Sequence, residues 1–375
     1  MALLPGLLAC VLVALAARLV GSALVQLGLE TAVALAIGLA IGSVARLRTV
    51  LLAGAAPAAR FALRIGITLL GARLTVGQLI ETGGASVVAI VVVVGAGLLL
   101  GTALARRLGV RAPLSALVTV GMAICGNSAI LALAPIVRAP HRETAYAVST
   151  ITLFGLIGVL LLPILGTALE LPDGVFGTWA GLAVNDTAQV VATGYAISPA
   201  AGDVATVVKL TRNLAILPVL LGATWLAVRA AATEPAPPAD RDEGVAGDPA
   251  AAGSPAIPGS PATASPLRLV ARAVPWFVVG FVVFAALRSA GLLDATVPTG
   301  GTIADVCSTA AAVLILVALA GVGISTDVRA MVGVGGAPLL LGGVMWVVMG
   351  VLALALAMMV AGGASPLDTA VYHAR

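Results

Sequence analysis

The sequence predicts an all-α polytopic membrane protein with about ten or eleven transmembrane segments. Three observations carry that prediction. Of the 375 residues, 61% are hydrophobic and only 10% charged, with a mean hydropathy of +1.15. An ordinary soluble domain is about 45–50% apolar and about 25% charged. Charge-poor apolar runs recur along the whole chain, and about 20 such residues cross a hydrocarbon core about 30 Å thick. Finally, the arginines lie between the apolar runs, where loops facing the cytoplasm carry them.

Eleven apolar segments are legible: 3–28, 31–45, 61–80, 85–105, 113–136, 143–169, 174–197, 203–229, 270–291, 302–324 and 336–362. The first lacks a basic leader and is longer than a signal core, so it reads as a retained helix. The stretch 232–267 is rich in Pro, Ala, Gly, Asp and Ser and has no aromatic residue. Such a composition buries too little surface to offset chain entropy and predicts a disordered linker. The linker divides a membrane block of eight segments (1–231) from one of three (268–375).

Two internal matches predict inverted repeats of the kind that secondary transporters use. Gly121–Ile130 aligns without gaps on Gly181–Val190, and Ile67–Thr75 resembles Leu319–Asp327. Loop charge bears on the same point. Arg46, Arg48, Arg60 and Arg64 cluster before and at the start of the third segment, and Arg106, Arg107 and Arg111 precede the fifth. Both clusters belong inside, which makes the N-terminus cytoplasmic. Simple alternation then puts Arg138, His141 and Arg142 outside and the acidic 170–173 loop inside, against the rule. Either the fifth and seventh segments are re-entrant from opposite faces, or both cross and the rule fails locally.

Net charge is +4 and the isoelectric point is near 9.4, but aromatics make up 3% of the chain and no basic stripe is interleaved with them. Nucleic acid is therefore not an expected partner. Cys10, Cys125 and Cys307 are far apart in apolar sequence, so no metal or redox spacing is present.

Polar groups at midplane depth are expensive and therefore candidates for function. Three clusters qualify. Cys125, Gly126, Asn127 and Ser128 lie about midway along the fifth segment. Gly121 and Gly126 weaken the helix there, and Asn127 and Ser128 compete with its hydrogen bonds. A break would expose backbone groups that only a ligand cavity tolerates; the competing reading is a small-residue packing face. Asn185, Asp186, Thr187 and Gln189 lie midway along the seventh segment, where Asp186 is the only carboxylate. Asp186 suits a coupling cation, a proton, or pairing with a buried arginine. Lys209, Arg212 and Asn213 share one face of the eighth segment, with Arg212 about 14 Å deep. Two cations against one carboxylate suit a small anion. Arg73 and Asp327 read as loop anchors at segment ends, and Arg18 has no assigned role.

These residues carry a resemblance. LLGARLT (69–75), AICGNSAI (123–130), TLFGLIGVLLLPILG (152–166), NDTAQVVATG (185–194), VVKLTRN (207–213), PWF (275–277) and GVGISTDVRAM (321–331) occur in that order. The set resembles a conserved hypothetical family of bacterial membrane proteins assigned to sulfate export. That family is grouped with the cation–proton antiporters and anion transporters and is similar to bile acid–sodium symporters. The resemblance implies a core domain with two unwound, crossing helices that moves against a panel domain. It places Gly126, Asn127 and Ser128 near substrate or coupling ion. Many members carry His where this chain has Asn185, so a proton carrier at that position is absent here.

The expected function is secondary transport of a small inorganic or organic anion, such as sulfate or a sulfonate, by alternating access in a bacterial inner membrane. Lys209 and Arg212 would hold the anion, and Na+ or H+ would couple through Asp186. The rival is a sodium–proton antiporter built on Asp186. No other cofactor is expected, an enzyme is not, and a homodimer is open to it as an assembly. No Walker-type phosphate loop occurs.

Overall fold

The computed structural model describes residues 3–23, 30–233, 276–298, 300–326 and 336–362. Among them the chain is helical, with one isolated antiparallel bridge, Thr296 to Thr302, as its only β pairing. The helices are α1 (Leu4–Ala23), α2 (Glu30–Ser43), α3 (Ala45–Leu70), α4 (Val76–Arg107), α5 (Ala112–Ala123), α6 (Asn127–Leu133) and α7 (His141–Ala168). They continue as α8 (Asp173–Ala183), α9 (Thr187–Tyr195), α10 (Pro199–Asn213), α11 (Ile216–Thr233), α12 (Trp276–Ser289), α13 (Ile303–Ser325) and α14 (Gly336–Gly362). A single 3₁₀ turn, Gly71–Arg73, follows α3. The chain is an all-α polytopic membrane protein. Six described helices are long and apolar enough to cross a bilayer: α3, α4, α7, α10 running on into α11, α13 and α14. Shorter apolar helices include most of α1 and α2, with α5 and α12.

Local chemistry sets several boundaries. Thr75 with Gln78 opens α4 and Thr302 with Asp305 opens α13, each as a reciprocal capping box. Ser198 caps α10 with Pro199 in its first turn, where a missing N–H costs nothing. The fifth and seventh predicted segments are each two half-helices, α5 with α6 and α8 with α9. The linker predicted over 232–267 lies, from residue 234 on, outside the described residues, as do Pro275, Asp327 and the rest of the 321–331 motif beyond Thr326.

The helices pack as two units that cut across the order of the chain. One unit buries α1, α2, α3, α12 and α13 around Cys10, Leu35, Ile67, Phe281 and Leu319. Backbones approach closely in it. A Cβ added to Gly54 would stand 2.9 Å from the Gly6 Cα, and one on Gly38 would stand 3.1 Å from the Gly323 Cα. Small residues at such crossings let apolar helices gain contact where lipid offers no hydrophobic drive. The second unit buries α4 to α10 and α14 around Leu117, Ile124, Ile151, Phe176, Leu182 and Met345. There Trp179 on α8 donates to the Gly350 carbonyl of α14 at 2.9 Å. Leu99, Val88 and Met359 are more than 70% exposed, as a lipid-facing surface requires.

Candidate functional site

The two interrupted segments meet at their breaks. At the end of α5, Ile124 leaves helical geometry (φ −123°, ψ −91°), and Gly126 adopts φ +64°, ψ −123°. That conformation excludes most side-chain-bearing residues. The Gly126 N–H reaches back to Gly121 at 3.0 Å, so the carbonyls of Met122, Ala123 and Ile124 are left without helical partners. At the end of α8, Val184 and Asp186 are both extended, and the Asp186 carboxylate accepts from the Ala188 N–H at 2.9 Å to cap α9. A Cβ on Gly126 would lie 3.4 Å from the Asn185 backbone. The sequence-matched motifs are therefore the two breaks, in van der Waals contact.

Helix C-termini leave carbonyls unpaired, and α10 supplies what caps them. Lys209 Nζ donates to Ile124 O at 3.0 Å and to Val184 O at 3.1 Å, joining the carbonyl ends of α5 and α8. Arg212 donates through Nε to Ala123 O at 3.3 Å and through Nη2 to Met122 O at 3.0 Å. Its Nη1 donates to Leu182 O. Both side chains are buried, Lys209 at 0% and Arg212 at 1% exposure. The cations thus sit against the negative poles of two helices, and most of their donors serve backbone carbonyls.

The amide ends of α6 and α9 carry the remaining polar groups. Asn127 Nδ2 lies 3.5 Å from Asp186 Oδ2 and 3.5 Å from Thr152 Oγ1 on α7. Its own Oδ1 is buried without a partner. Gln189 donates to the Thr152 carbonyl at 3.2 Å, and its Oε1 is also buried and unpaired. Asn185 is buried, donating to Met122 Sδ at 3.0 Å and accepting from Arg212 at 3.5 Å. Asp186 and Thr187 are half-buried.

Of the predicted site residues, Gly126, Asn127, Asn185, Asp186, Gln189, Lys209 and Arg212 come together. Thr187 opens α9 beside them. Cys125 is packed in the core of the second unit. Ser128 is exposed, on α6 one turn from the exposed Leu131. Asn213 is half-buried with its Oδ1 unpaired and shares no hydrogen bond with the cluster. Among the described residues, Asp186 forms no ion pair with Arg212. No described group of three or more His, Cys, Asp and Glu side chains could hold a metal ion.

Two features escaped the sequence. Thr152 sits inside the TLFGLIG run, where a helical Thr ordinarily bonds the preceding turn, as this one does to Val148 O at 2.8 Å. Arg73, read as a loop anchor, instead pairs with Asp203 at 3.1 Å.

The model of the family described as conserved hypothetical protein 698 matches residues 5–240 and 260–342. A UPF0324 membrane protein of Clostridium tetani is 32% identical over 309 residues, 81% of this chain and 82% of its own length. Another from Bradyrhizobium diazoefficiens is 32% identical over 342 residues, 89% of this chain and 87% of its own. One from Streptococcus pyogenes is 31% identical over 360 residues, covering 94% and 96%. No solved structure matches the chain.

Proposed function

The chain belongs to the conserved hypothetical protein 698 family of membrane proteins, and we propose that it is a secondary active transporter of a small anion, coupled to a cation at Asp186. One observation carries the reading: two helix breaks touch, and their carbonyl ends are neutralised by Lys209 and Arg212 on a third helix. Broken helices inside a membrane make sense where they line an ion site.

The sign of the ion follows from the charges present. Each helix end carries about half an elementary charge, so two carbonyl ends and two amide ends roughly cancel. Lys209 and Arg212 against Asp186 then leave a surplus of one positive charge. Sulfate or an organic sulfonate fits that surplus, approached through the amide ends of α6 and α9. Lys209 and Arg212 act on the anion chiefly through their field and their hold on the backbone, because most of their donors are already committed. The site works in a bacterial inner membrane with the N-terminus inside, and it carries its substrate without chemical turnover.

Cation coupling has its own support. Cation–oxygen distances of about 2.3–2.6 Å place neighbouring ligand oxygens about 3.3–3.7 Å apart. The Asn127 amide stands 3.5 Å from both Asp186 and Thr152, long for hydrogen bonds and suited to an ion shell. Turning that amide over would bring its orphan oxygen to the carboxylate and hydroxyl, an arrangement that needs a cation between them. The same observation favours the second reading, a sodium–proton antiporter without an anion.

Uptake of radiolabelled sulfate into proteoliposomes under imposed sodium or proton gradients tests the proposal, with Asp186→Asn alongside. Gradient-driven uptake that becomes gradient-independent in the variant supports an anion carrier coupled at Asp186. No sulfate flux in well-inserted protein, with sodium–proton exchange lost in Asp186→Asn, would replace it by the antiporter.

A further inference from the structure

Away from the two breaks, one polar cluster joins the two packing units. Arg73 lies in the 3₁₀ turn after α3, held to the first unit. Its neighbour Ala72 is buried against Leu293 and Ala304, and its Nη1 donates to Ser308 on α13 at 3.4 Å. Asp203, on the first turns of α10, and Tyr195, at the end of α9, belong to the second unit. The Arg73 Nε meets Asp203 Oδ2 at 3.1 Å, and its guanidinium lies over the Tyr195 ring, 5.9 Å from the centroid. The Tyr195 hydroxyl donates to the other oxygen of Asp203. A Cβ on Gly202 would overlap the Tyr195 ring, so that glycine lets the ring lie across α10 and aim its hydroxyl. The carboxylate is thus positioned by its own unit before Arg73 arrives from the other.

We infer that Arg73 and Asp203 form a gate that closes the outer mouth of the path between the two units. The inference rests on the transport reading, since it needs the units to move. Side is given by α3. Its first turn carries Arg46 and Arg48, which belong inside with Arg106 and Arg107 at the far end of α4, and Arg73 lies at the opposite end, between α3 and α4. Burial decides that this pair can open where others cannot. Its side chains are 27% and 14% exposed, so water can replace each partner as the units part. Lys209 and Arg212, at 0% and 1%, have no such exchange and stay with the second unit. Inward of the gate, Val207 lies one turn along α10 from Asp203 and is buried at the contact between units. Thr31 of α2 crosses the same contact to Ala192 O at 3.3 Å.

The test uses the full chain in oriented membranes, carrying Cys10→Ala, Cys125→Ala, Cys307→Ser and Val207→Cys. A membrane-impermeant maleimide is applied from the outer side. With the gate intact, labelling is slow; Arg73→Ala or Asp203→Ala raises its rate at least tenfold, and Arg73→Asp combined with Asp203→Arg restores it to within about threefold of the parent. Tyr195→Phe keeps the packing and removes only the hydroxyl, so it gives a rise of two- to fivefold and serves where the single charge deletions do not fold. Unchanged labelling in every well-folded variant overturns the gate. Labelling requires no substrate. Wild type without sulfate or sodium flux therefore sinks the transport reading alone, and wild type that transports while labelling ignores these variants sinks the gate alone.

Discussion

Replacing Lys209 by Met tests whether that cation is chiefly a cap or a ligand. Nζ makes two charge-assisted bonds, 3.0 Å to Ile124 O and 3.1 Å to Val184 O, from a side chain with no exposure. Such bonds contribute about 1.5–3 kcal/mol each, so their loss removes about 3–6 kcal/mol. Met fills nearly the same volume and escapes the desolvation that a buried ammonium suffers. That offset brings the net cost to about 2–4 kcal/mol. At about 2–4 °C per kcal/mol for a domain of 150–250 residues, the melting temperature of detergent-purified protein falls by about 5–15 °C. Lys209→Gln, with two neutral N–H donors on a shorter stem, recovers part of that loss. Differential scanning fluorimetry reads both variants, and sulfate uptake follows on the same preparations. A Lys209→Met protein within 2 °C of wild type, with uptake weakened only through a higher KM, would refute the capping argument. It would make Lys209 a substrate ligand, as its sequence position first suggests.

Gly126→Ala puts a side chain at φ +64°, with its Cβ 3.2 Å from Ile151 Cγ2. Strain of that kind costs about 1–3 kcal/mol, so the melting temperature drops by several degrees and uptake falls with it; unchanged uptake would show that the break is not held to one geometry. Gly155→Ala brings a Cβ within 2.8 Å of the Gln189 Cδ. Gln189 must then swing away from Thr152 O, and the cation dependence of transport should weaken more than stability does. Equal losses in both readouts would mean that Gln189 only packs.

Much of this arrangement is legible in the sequence, for physical reasons that also mark where legibility ends. The breaks announce themselves because Gly121, Gly126, Asn185 and Asp186 are poor residues for a helix interior, and lipid tolerates such residues only where something satisfies the backbone. Lys209 and Arg212 stand out because charge at that depth must be answered by a partner. The identity of the partner is not a local property. The sequence suggests a bound anion, whereas the geometry directs both side chains to carbonyls of α5 and α8 that only the meeting of the two breaks brings near α10. Thr152 is hidden for the same reason, since it looks like an ordinary helical residue until α7 and α9 are set side by side.

Arg73 and Asp203 are the opposite case. Each stands at a helix boundary, where a charged residue needs no explanation, and nothing in either neighbourhood points to the other. Their significance comes from the division into packing units, which the order of the chain conceals: α12 and α13 join α1 to α3, while α14 joins the helices that hold the two breaks. Once that division is drawn, the two kinds of charged contact separate by burial. Fully buried cations hold the carbonyl ends within one unit and cannot let go without stranding a charge. The partly exposed pair spans both units and loses little when water takes each partner's place. A carrier that alternates access needs both, a frame that survives the motion and a closure that yields to it.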